Sequence, residues 1–111
     1  MGAAVWLGGY AYDLLTAPEW QKALLSIMSE AGLRDAQVFT SLGSDFVKEG
    51  DWLVATGCKA RDCDAAMGVV ALRRADNAVM LALRELGQGA TIFGDQSLGV
   101  PLSINSLRAG N

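Results

Sequence analysis

At 111 residues the chain has room for one domain, spanning residues 1–111, with a single modest core. Hydrophobic residues make up 51% and charged residues 19% of it, a balance that excludes a disordered chain. A formal net charge of −3 and the absence of histidine argue against nucleic acid as a partner and remove the commonest general base and metal ligand.

In chain order, the opening "MGAAVWLGGYAY" is apolar but lacks a basic n-region and is short for a signal peptide. It reads as a mature N-terminus from which a secretion signal has been trimmed, with Met1 and Gly2 as additions. No later run approaches the ~20 apolar residues of a membrane span. The clearest helix is expected over residues 17–31. Thr16 and Glu19 fit a capping box, and Pro18 falls in the first turn, where its missing N–H costs little. Trp20, Ala23, Leu24, Ile27, Met28 and Ala31 have the spacing of one buried face. Gly32 is the expected left-handed stop. That stripe is the mark of a helix packed on a sheet.

A short second helix is expected in "LRDAQVFTSLGS", ending at Gly43. From Phe46 the period changes. "DFVK", a turn at Glu49-Gly50 and "DWLVATG" read as a hairpin. "MGVVALRR" and "AVMLALREL" are strand-length apolar runs separated by "ADN", although residues 78–86 could pass for a helix on composition. "ATIFG" offers a fifth strand, and a helical turn is expected near residues 103–107. Helix first and strand meander after points to α+β: an antiparallel sheet of about five strands with an amphipathic helix on one face.

The chemistry-bearing residues are sparse. In "GQGATIFG", Ile92 stands where a dinucleotide fingerprint needs its third small residue, so those glycines read as a turn. Asp13, Asp35, Asp45, Glu49, Asp51 and Asp76 are expected on solvated faces or in turns, with no pair set for acid–base work. The only two cysteines, Cys58 and Cys63, enclose Lys59, Ala60, Arg61 and Asp62. Two thiolates and no histidine cannot close a structural zinc site, and the spacing is not the C-x-x-C of a redox pair. Two idle thiols remain an alternative. The favoured reading is a Cys58–Cys63 disulfide formed in an oxidising compartment, shaping the loop before a partner arrives. A solvated hairpin tip is the plain alternative for its charges.

At "CKARDC" the chain resembles the inhibitor of vertebrate lysozyme (Ivy) family. Members carry C-K-P-H-D-C between a strand and a strand-turn-strand pair, and Cys58, Lys59, Asp62 and Cys63 match in type and spacing. The helix in "APEWQKALLSIMSEAG" also sits where that family has one, so the likeness covers most of residues 13–93. The resemblance implies a non-enzymatic periplasmic protein of Gram-negative bacteria, often a homodimer, with no cofactor. Its disulfide-closed loop would enter the cleft of a c-type lysozyme, a basic partner complementary to this chain's negative balance. Ala60 and Arg61 replace the family's proline and histidine. Arg61 would then pair with target carboxylates, with Lys59 and Asp62 fixing the loop or making flanking contacts. Alternatively, the change redirects the loop to another acidic cleft, such as a lytic transglycosylase, or leaves a binding module that does not inhibit lysozyme.

Overall fold

The computed structural model describes Trp6 and residues 8–109, apart from the side chains of residues 98, 108 and 109. Half of the stretch read as a trimmed N-terminus, residues 1–5 and 7, lies outside the described residues. Trp6 packs against the core and meets Phe46 edge-on, with ring centroids 6.3 Å apart.

Three short helices come first: α1 (Ala11–Thr16), α2 (Gln21–Leu25) and α3 (Glu30–Phe39). The continuous helix expected over residues 17–31 is therefore broken, because two serines interrupt it. The Ser26 hydroxyl donates to the Ala23 carbonyl at 2.6 Å as α2 ends. Ser29 then takes extended backbone angles and accepts the Gly32 N–H at 3.0 Å, capping α3. A serine hydroxyl at the cap satisfies an amide that has no partner within the helix. Gly32 thus begins a helix where it was expected to end one. The capping box at Thr16 is absent too, since that hydroxyl bonds back to the Tyr12 carbonyl at the end of α1. Trp20, Leu24 and Met28 are buried as the stripe requires, while Ala23 and Ala31 are exposed. Gln21 and Gln37 both donate to the Leu15 carbonyl and so close the end of α1.

The strands follow: β1 (Leu42–Gly43), β2 (Val47–Glu49), β3 (Trp52–Cys58), β4 (Ala66–Arg73), β5 (Val79–Glu85) and β6 (Thr91–Phe93). Gly43 lies in β1 instead of ending a helix. The sheet has six strands, one more than expected, and every pairing is antiparallel. Its order is β1-β3-β4-β5-β6, with β2 also pairing with β3. The turn between β2 and β3 uses Gly50 at φ 60°, a left-handed angle that glycine adopts without steric cost.

Both faces of the central strands are covered. Leu53, Ala55, Val70, Leu72, Leu81 and Leu83 pack under α1–α3. On the other face Trp52, Val54, Val69, Ala71, Met80 and Ala82 pack with Ile104 and Leu107, which belong to α4 (Leu102–Ala109). Two-sided burial explains why these strands are continuous apolar runs and why residues 78–86 resemble a helix.

α4 is held by the sheet at both ends. The Glu49 carboxylate accepts from the Ser103 N–H at 3.0 Å and from its hydroxyl at 2.6 Å. The Arg84 Nη1 donates to the Leu107 carbonyl at 3.3 Å. An anion at the helix N-terminus and a cation at its C-terminus both oppose the helix dipole. Glu49, expected to be solvated, is therefore a structural cap, whereas Asp13, Asp35, Asp45, Asp51 and Asp76 are exposed.

Candidate functional site

The β3–β4 connection stands at one end of the sheet. Strand pairing runs up to Cys58 opposite Met67, and the Lys59 N–H continues it by donating to the Ala66 carbonyl at 2.9 Å. Beyond that point the chain leaves the sheet. Cys58 and Cys63 are joined by a disulfide, with their Cα atoms 4.7 Å apart.

Inside the ring the backbone makes a tight turn. The Asp62 N–H donates to the Lys59 carbonyl at 3.0 Å. Arg61 has φ 70°, whereas Ala60 is not among the positive-φ residues. A four-residue turn with positive φ at its third position is type II, which favours proline second and glycine or asparagine third. Arginine in the left-handed region costs about 1 kcal/mol or more. Lys59, Ala60, Arg61 and Asp62 are all exposed, while both cysteines are partly covered. The described residues contain one ion pair, Arg73 with Asp76, so the Arg61 guanidinium has no carboxylate partner among them. The turn thus presents, at the tip of a covalently closed loop, a cation with no carboxylate partner among the described residues.

Sequence reading missed a residue that fixes this loop. The Ala60 N–H donates to the Ser41 Oγ at 3.0 Å, and the Ser41 hydroxyl donates to the Val38 carbonyl at 2.9 Å. The last turn of α3 therefore tethers the second position of the loop through one side chain. A serine in "TSLGS", just after a helix, is a weak signal of this, since its partner lies 19 residues away. Ser41→Ala should leave the fold intact, cost no more than about 1 kcal/mol in urea unfolding, and speed hydrogen exchange at the Ala60 amide. Unchanged exchange would remove Ser41 as a tether.

Beside Cys58, on the α4 side of the sheet, runs a groove of about 660 Å³ bordered by Leu42, Thr56, Met67, Arg84 and Leu102. Among the described residues that line it, Arg84 is the one cation, and its guanidinium also reaches the Met67 sulfur at 3.2 Å. With its bond to α4, this gives it a structural role. Among the described residues no three histidine, cysteine, aspartate or glutamate side chains are grouped to hold a metal ion, and no helix is long and apolar enough to cross a membrane.

The model of the family described as inhibitor of vertebrate lysozyme (Ivy) matches residues 16–107, a span that includes the loop, Ser41 and the whole sheet. No curated protein and no solved structure matches the chain.

Proposed function

Because the chain belongs to the inhibitor of vertebrate lysozyme (Ivy) family, we propose that it is a non-enzymatic binder of a peptidoglycan-cleaving glycosidase whose loop of residues 58–63 enters the target's active-site cleft. The observation that carries this reading is Arg61. It is exposed, lacks a carboxylate partner among the described residues, and is held at a left-handed φ on the tip of a disulfide-closed turn. A guanidinium matches a carboxylate fork through two parallel N–H···O bonds, and glycosidases work through acidic residues at the scissile bond, most often a pair. Lys59 and Asp62 flank it and fix or extend the contact. The targets of this reading are a c-type lysozyme or a lytic transglycosylase. Its compartment is the periplasm, where a disulfide of this kind persists.

The disulfide preorganises the loop. Closing so short a ring is worth about 2 kcal/mol on the chain-entropy account, and the larger effect should fall on binding, where ordering a free loop would cost affinity. Reduced protein, or the Cys58→Ser/Cys63→Ser double variant, should keep the α+β fold and bind at least about tenfold more weakly. Equal affinity of oxidised and reduced protein would remove preorganisation from the account. The second reading, a binding module of the same fold that does not inhibit lysozyme, draws on Ala60 and Arg61 standing where the family carries proline and histidine. Inhibition of the transglycosylase alone would favour redirection of the loop.

A further inference from the structure

A specific protein interface of ordinary size draws on about 20–30 residues a side, and the ring exposes only the four between its cysteines. More surface at the same end of the sheet must take part. The strand register identifies it. Leu42 on β1 lies opposite Cys58, and Ala66 on β4 lies opposite Glu85. The residue after β5, Leu86, donates its N–H to the Ala65 carbonyl at 2.8 Å. Across this end of the sheet the order is therefore Leu42, Cys58, the loop, Ala65, Leu86. The two leucines are separated by the three strand steps of β1-β3-β4-β5, about 14 Å at the usual spacing.

Both leucines are unusually open for their type, Leu42 at 55% and Leu86 at 75% exposure. We propose that Leu42 and Leu86 form an apolar bracket around the loop and pack against the two walls of the target's sugar-binding cleft while Arg61 reaches its acidic floor. The inference rests on the reading of the loop given above and deepens it. Ligand clefts are lined mostly by apolar and aromatic side chains with a few polar groups at the centre. A cation flanked on each side by an exposed leucine is the complementary arrangement. It also gives the interface the apolar contact that a charged turn cannot supply, because the driving force scales with apolar area removed from water.

The test is binding, by calorimetry, of a c-type lysozyme and a lytic transglycosylase to the oxidised protein and to three variants: Leu42→Ala/Leu86→Ala, Leu86→Ala alone, and Leu25→Ala. Leu25 is 42% exposed and ends α2. Its neighbour Leu24 packs in the core under α1–α3, away from the groove that Leu42 borders, so Leu25 reports on exposed leucine in general. The double variant should bind about tenfold more weakly, with Leu86→Ala giving part of that loss at an unchanged melting temperature and Leu25→Ala within twofold of the parent. Parent binding with an unaffected double variant, or an equal loss in Leu25→Ala, overturns the bracket and leaves the loop reading standing. No binding by the parent to either enzyme overturns both.

Discussion

Arg61→Ala is expected to weaken binding to the target glycosidase by about 2–5 kcal/mol, roughly thirtyfold or more, the range for truncating one partner of a desolvated charge pair. Folding stability should be almost unchanged. The side chain is exposed and has no ion-pair partner among the described residues, so its removal leaves no buried group unsatisfied. Alanine also meets the same left-handed backbone cost at φ 70°. Arg61→Gly separates the two effects further, since it relieves the backbone while losing the guanidinium. That variant should fold at least as well as the parent and bind as poorly as Arg61→Ala. Arg61→Lys should recover only part of the affinity, because an ammonium cannot reproduce the two-point fork. Full affinity in Arg61→Ala would take the residue out of the mechanism.

Gly57→Ala should be a severely damaging single methyl group near the loop. A Cβ built there lies 2.8 Å from the Thr40 Cα, 3.0 Å from the Thr40 Cβ and 3.2 Å from the Leu42 carbonyl oxygen. Two of those three atoms are backbone, so no rotamer change relieves the contact. Its strand partner is another glycine, Gly43, whose own Cβ would fall 2.6 Å from the Thr56 carbonyl oxygen. The pair lets β1 lie close against β3, and Ser41 reaches the loop from that position. We expect Gly57→Ala to cost about 2–3 kcal/mol, at the upper end of overpacking effects, and to loosen the Ser41 tether with β1. Gly50→Ala is the contrast. Open space surrounds Gly50, so the cost there is confined to a left-handed φ and should stay near 1 kcal/mol. A Gly57→Ala variant as stable as the parent would mean that β1 moves freely relative to β3.

The strands were readable because their signals are local. A glycine turn follows Glu49, "ADN" separates two apolar runs, and both hairpins form where those signals lie. The disulfide was readable for a similar reason, as the two cysteines have no other cysteine to pair with. The break at residues 26–29 was hidden by a stripe that keeps helical spacing through Ile27 and Met28 even though the backbone stops and restarts at the serines. Side-chain spacing reports which face is buried; it does not report where the backbone hydrogen bonds end. The second covered face of the sheet depends on α4 folding back from the far end of the chain and being clasped by Glu49 and Arg84, contacts of long sequence range that no local pattern marks. Within the site, the ring and its charges could be read from six consecutive residues. The positive φ of Arg61 and the bond from Ala60 to Ser41 required the folded chain.

The central claim is that the loop of residues 58–63 occupies the cleft of a peptidoglycan-cleaving glycosidase. Titrating the oxidised protein into peptidoglycan lysis assays tests it most directly, with a c-type lysozyme and a lytic transglycosylase run side by side. The account predicts saturable inhibition of at least one enzyme, lost in Arg61→Ala. Uninhibited lysis by both enzymes at every ratio, with the disulfide intact, would contradict it.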